Sequence, residues 1–150
     1  MDFESMVAED WQRAVAQATG LFPVSRDMVL SALRSPTPHV RCAAVAVLLE
    51  SDDRSAHDDV LVLLGDPDED VRNEVLEYLA EFAQPEDARA LLSVLRTGGH
   101  PFLTTSALCR SLGVAGPILD NEDTRDEVAA AINVWKEAIS VRSAGASVVR

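Results

Sequence analysis

Two stretches of this 150-residue chain match when one is slid by 31 positions. ALRSPTPHVRCAAVAVLLE (32–50) lies over LLGDPDEDVRNEVLEYLAE (63–81). Leu33 then falls on Leu64, Pro36 on Pro67, Val40 on Val71, Arg41 on Arg72, Ala44 on Val75 and Leu48 on Leu79. A third copy, VLRTGGHPFLTTSALCRSLG (94–113), follows at about the same distance, with Leu95 matching Leu64. With one residue slipped, Leu103 matches Val71 and Ala107 matches Val75. Each copy places apolar residues at helical spacing on both sides of a turn. A unit this short cannot bury its apolar face alone, so neighbouring units must stack. The period therefore predicts an all-α chain, a small α-solenoid of helical-hairpin repeats with its terminal helices as caps.

The rest of the chain agrees with that reading. Helical periodicity places helices at about 3–19, 26–34, 39–50, 56–65, 69–82, 86–97, 102–113 and 124–141. Gly20 and Pro23, Pro36 and Pro38, Pro67, Pro85, Gly98 to Pro101, and Gly113 to Pro117 separate them. No segment alternates as a strand does. Aromatic residues make up only 5% while Ala, Val and Leu abound, which suits close helix packing. The expected organisation is a single domain over 1–141 and a frayed tail over 142–150, where Ser, Gly and Ala collect. No apolar run approaches the length of a membrane span. The acidic start MDFESMVAEDWQ is unlike a secretory signal. Cys42 and Cys109 match no metal or redox spacing and are read as reduced thiols of a cytoplasmic protein.

The order of elements, an apolar helix, a D-P turn, then V-R opening a second apolar helix, resembles HEAT repeats, especially the short bacterial HEAT-like kind. LLGDPDEDVRNEVLEYLAEF matches best and SALRSPTPHVRCAAVAVLLE well, and the resemblance covers roughly 26–113. The third copy departs, with Thr104 at the Arg place and Thr97-Gly98 at the Asp-Pro place. The resemblance implies a structural ladder between neighbouring units. It maps to Asp66 and Arg72, with Arg41 as the equivalent base one unit earlier. It also implies that the helix opened by V-R lines a concave surface that often grips partners.

One stretch raises a rival possibility. In GDPDEDVRNEVLEYLAEF (65–82), Asp66, Asp68 and Asp70 alternate, and Glu77 is twelfth from Asp66, as in a calcium loop. Such a loop needs Gly sixth, for its sharp turn, and here Val71 holds that place as a core position of the repeat. The equivalent turn in the preceding unit, Ser35 to Arg41, has no alternating carboxylates. Asp66, Asp68, Glu69 and Asp70 are therefore expected at a helix N-terminus, where carboxylates accept from free N–H groups and favour the positive dipole end. No metal and no cofactor is expected.

Charge points to the working surface. The net charge is −12, and residues 50–87 hold 14 of the 25 acidic residues with only Arg54 and Arg72 as bases, so this block alone carries it. Within 69–82, Val71, Val75, Tyr78, Leu79 and Phe82 form the core stripe. Asp70, Glu74, Glu77 and Glu81 form a second stripe on one side of the same helix. These four are the candidate partner-binding residues, a solvated face being the plainer alternative. The expected partner is a basic protein. Inhibitor or immunity-type binding of a basic enzyme competes with an adaptor or scaffold role.

An enzyme is not expected. His39, His57 and His100 sit at turns or helix starts without ligand spacing, and a capping or solvent role is expected for them. No nucleophile elbow, P-loop or dinucleotide motif occurs. Arg41 beside Cys42 could lower its thiol pKa, but no matching base is evident, so Cys42 reads as a packing residue. Trp11 and Trp135 read as large rings that cap the ends. Some HEAT-like proteins are DNA glycosylases or bilin-attachment enzymes. Net acidity argues against nucleic acid, and no feature supports a tetrapyrrole site.

Overall fold

The computed structural model describes residues 3–11, 14–15 and 25–148, with side chains through Ser143. Every regular element among them is helical. The α-helices are α1 (Phe3–Glu9), α2 (Arg26–Ala32), α3 (Pro38–Glu50), α4 (His57–Leu61), α5 (Glu69–Phe82), α6 (Ala88–Arg96), α7 (Pro101–Leu112) and α8 (Arg125–Val148). Short 3-10 turns at Arg54–Ala56, Val62–Gly65 and Pro85–Asp87 flank α4 and lead into α6. The all-α expectation holds. Of the predicted first helix, α1 and the helical residues Trp11, Ala14 and Val15 are seen, Asp10 is described but not helical, and residues 12–13 and 16–19 lie outside the described residues.

Local chemistry sets the boundaries. Pro38 and Pro101 open α3 and α7 within the first turn, where a missing N–H loses no helical bond. His100 precedes α7, and its Nδ1 accepts from Leu103 N at 3.2 Å. Gly113, at φ +64°, closes α7 in the left-handed conformation that suits glycine. Thr124 and Glu127 exchange bonds at the start of α8, Thr124 N donating to Glu127 Oε2 at 2.6 Å and Glu127 N to Thr124 Oγ1 at 3.3 Å.

Two departures from the predicted boundaries have local causes. The helix expected over 56–65 is split, because its last residues tighten into a 3-10 turn ahead of Pro67, with Asp66 N bonded to Leu63 O at 3.1 Å. The last helix passes 141 and runs to Val148, through the segment expected to fray. There Arg142 Nη1 donates to Leu112 O at 3.3 Å.

The chain divides into two compact units, Met1–Tyr78 and Leu79–Arg150, with the division inside α5. In the first, α1, α2 and α3 pack on one another. Helix α3 is apolar nearly all round and buries Val40 and every residue from Ala43 to Leu48. In the second, α6, α7 and α8 pack together around Leu91, Leu95, Leu108 and Trp135. Trp135 is buried and its indole N–H reaches Pro117 O at 3.1 Å.

Gly116 lies against that ring, and a Cβ there would stand 2.4 Å from Trp135 Cη2. Gly116→Ala is accordingly expected to destabilise by about 1–3 kcal/mol, the usual cost of forcing extra volume into a packed site. Urea denaturation checks this, and an unchanged midpoint would mean that the ring yields freely.

Burial follows the repeat. Val40 and Val71, Ala44 and Val75, and Leu48 and Leu79 are buried pair by pair. Leu76 is buried too, beyond the stripe read from periodicity. The third copy is in a different register from the one expected. Ala107 is buried as expected, but Leu103 is only partly buried, while Thr104, Leu108, Ser111 and Leu112 are buried with the spacing of Val71, Val75, Tyr78 and Leu79. Thr104 thus fills the place of Val71, and not that of Arg72. A threonine can do so because its hydroxyl turns inward to the helix, Thr104 Oγ1 donating to His100 O at 2.7 Å.

Candidate functional site

The acidic turn before α5 is built as a helix start. Asp68 Oδ1 accepts from Val71 N at 3.1 Å, so Asp68 caps the helix. Asp66 Oδ1 accepts from Asp68 N at 2.9 Å, which folds the turn. Asp66 is also the partner of Arg41, with Nε to Oδ2 and Nη2 to Oδ1 both at 2.9 Å. This is a bidentate fork between side chains only 11% and 4% exposed. Burial pushes the Asp66 carboxyl up, but the Arg41 hydrogen bond, the Asp68 N–H and the charges of Arg41 and Arg72 together outweigh it, and it stays below the ordinary carboxylate value. Among the described residues no group of three or more His, Cys, Asp or Glu is arranged to hold a metal ion.

The two repeat arginines do the same backbone work one unit apart. Arg41 Nη1 donates to Ser35 O at 2.8 Å, and Arg72 Nη1 donates to Asp66 O at 2.7 Å. Arg72 thus holds the main chain at Asp66, while the carboxylate of Asp66 is taken by Arg41. Thr97 occupies the position that would supply the next carboxylate. Tyr78, expected only as a core ring, also ties a turn, its hydroxyl donating to Asp53 O at 2.6 Å.

On the other side of α5, Asp70, Glu77 and Glu81 are exposed, and Glu74 is partly buried. Glu74 is therefore not the freely solvated side chain that the plainer alternative requires. Burial above all, then the charges of Glu77 and Glu50, push its carboxyl up to about 7. The same surroundings act on Cys42. Burial first, then Glu74, Asp70, Asp68 and Glu77, raise its thiol to about 12, the reverse of activation by Arg41. Cys42 is partly buried, and its Sγ donates to Asp70 O at 3.7 Å.

Because the folded-state pKa of Glu74 is raised, its stabilising contribution is complete below its ordinary value of 4.5 and disappears as pH rises through about 7. Glu74→Gln should be close to neutral at pH 5 and stabilising at pH 8. The whole shift would correspond to about 3 kcal/mol, and partial solvent access reduces the expected gain to about 1–2 kcal/mol. Thermal melts of both proteins at the two pH values check this. An equal effect at both would show that Glu74 ionises as an exposed carboxylate.

Cys42, Trp11, His39, Asp70, Asn73 and Glu74 line a cleft of about 590 Å³ in the first unit. The Trp11 and His39 rings stand 6.2 Å apart, tilted by 44°. Of the three histidines, His39 is exposed and His100 caps α7, in line with expectation. His57 is instead buried at 4% exposure, its Nδ1 2.9 Å from Asp58 Oδ1. Periodicity gave no warning of that, because the short α4 has too few residues to show a face.

Comparison with known proteins gives one family. A model of HEAT repeats matches residues 26–113. Neither the comparison with curated proteins nor that with solved structures returns a match. HEAT repeats are in general protein-interaction modules and in general non-enzymatic. No helix among the described residues is long and apolar enough to cross a membrane.

Proposed function

The chain belongs to the HEAT-repeat family, and from that premise we propose that it is a non-enzymatic module that grips a basic partner protein through the acidic face of α5. The observation that carries this reading is the placement of charge. The entire net charge of −12 resides in residues 50–87, and Asp70, Glu77 and Glu81 are exposed there. Like carboxylates three and four residues apart oppose helix formation by a few tenths of a kcal/mol per pair, so beyond Asp70, which sits in the favourable first turn of α5, the stripe does not help the helix form. A basic surface set against it would relieve the repulsion and gain the attraction. The helix opened by V-R lines the concave surface in HEAT repeats, which would put these carboxylates on or beside a groove.

A small acidic chain of this kind suits inhibition of a basic enzyme. The cytoplasm fits its two free thiols, and one cooperative domain over 1–141 fits the unbroken passage of α5 through the division between the units. The test is capture from a native lysate by wild type and by Glu74→Lys, Glu77→Lys, Glu81→Lys, with mass spectrometry of what each retains. A basic protein held by the wild type and lost by the folded triple variant is the expected result. Equal capture by both would remove the acidic face from the account.

A further inference from the structure

The cleft beside α5 combines features that a plain acidic surface lacks. One wall carries the aromatic pair Trp11 and His39, with ring centroids 6.2 Å apart. The lining from α5 brings the carboxylates of Asp70 and Glu74 and the amide of Asn73. Cys42, held as a neutral thiol, adds a soft apolar surface. The volume, about 590 Å³, is in the range that encloses a small ligand or a long side chain. The Trp11 indole N–H is buried and has no hydrogen-bond partner among the described residues.

We infer that this cleft is a subsite for an arginine side chain of the partner, its guanidinium stacked on the Trp11 ring and forked onto Asp70 and Glu74. The inference rests on the acidic-face reading above and makes its partner chemistry specific. A planar guanidinium is less strongly hydrated than an ammonium, stacks on aromatic faces, and presents paired donors that match a carboxylate. A cleft lined by both an aromatic ring and carboxylates offers both interactions at once. A bare acidic stripe offers neither stacking nor shape and would accept lysine equally well. Among the described residues, no lysine or arginine lines the cleft.

The test uses the full chain, uniformly labelled with ¹⁵N, and two small probes, N-acetyl-arginine amide and its neutral isostere N-acetyl-citrulline amide. The Trp11 indole signal is assigned with Trp11→Phe and is distinguished in that way from that of the buried Trp135. The expected result has three parts. The arginine probe shifts the Trp11 indole signal and the Asn73 and Glu74 amides saturably. The citrulline probe does not. Asp70→Asn with Glu74→Gln weakens arginine binding tenfold or more while circular dichroism stays unchanged. Absence of a saturable response, an equal response to citrulline, or a loss of less than tenfold in the double variant overturns the inference. The probes are too small to span the stripe out to Glu81, so this failure is separate from failure of the acidic face. That face stands or falls on capture by the triple lysine variant.

Discussion

Replacing Arg41 with Ala is expected to lower the unfolding free energy by about 3–5 kcal/mol, far more than the roughly 0–1 kcal/mol lost when an exposed ion pair is cut. The reason is the state in which it leaves Asp66. That carboxylate is only 4% exposed and keeps the Asp68 N–H as a partner, but it loses both bonds from the guanidinium. An uncompensated buried charge must then be carried or protonated. Arg41 also ties Ser35 O, so the preceding turn loses its anchor in the same step. Arg41→Met combined with Asp66→Asn should recover most of the loss, because no charge is then buried and the Asn oxygen still accepts from Asp68 N. Urea denaturation of the three proteins checks this. A loss below about 1 kcal/mol in Arg41→Ala would mean that the pair behaves as an exposed one.

The pH response has a definite sign. The folded-state pKa of Asp66 is lowered, so its contribution is present above the ordinary carboxylate value and is lost as pH falls through the folded value. Without Arg41, burial is left as the main influence and raises that pKa, so the acid-side loss of stability should begin at higher pH. Glu74 behaves in the opposite sense, losing its contribution as pH rises. The difference lies in their neighbours, since Asp66 has an arginine fork and Glu74 has carboxylates.

The core and the helix starts were legible because they repeat. Val40 over Val71 and Leu48 over Leu79 are two readings of one position, and both are buried. The alternating aspartates resolved as a cap for the same reason, since the equivalent turn is built without them. Charge partners were less legible. The pairing of Arg41 with Asp66 crosses 25 positions, and periodicity within a helix says nothing about which turn an arginine will reach. The repeat could have found it, because Arg41 and Arg72 also bond the backbone six residues before them. The third copy failed in register because threonine reads as polar, and only its bond to the carbonyl four residues back makes burial acceptable. The cleft was not legible at all. Trp11 and Glu74 are far apart in sequence and meet only through folding.

Reversing Glu74, Glu77 and Glu81 to Lys is expected to abolish partner binding while leaving the helical fold in place. Glu77 and Glu81 are exposed, and the core stripe of Val71, Val75, Tyr78 and Leu79 is untouched. Three reversals change the formal charge of the α5 face by six units, turning attraction for a basic surface into repulsion. Like charges set against one another cost several kcal/mol across an interface, enough to lower affinity by a hundredfold or more. Glu74→Lys carries the added burden of an ammonium in a partly buried place, so a Glu77→Lys, Glu81→Lys variant, which leaves that place intact, should show the same trend to a smaller degree.

The most direct measurement is calorimetric titration of the captured partner into wild-type protein at low and at raised ionic strength. Exposed charges are screened beyond about 10 Å at 0.1 M salt and beyond about 3 Å at 1 M. An acidic face that grips a basic surface must therefore lose affinity steeply as salt is added, and the triple lysine variant must show no binding at either condition. Affinity independent of salt, or retained by the folded triple variant, would contradict the account and place the binding surface elsewhere on the chain.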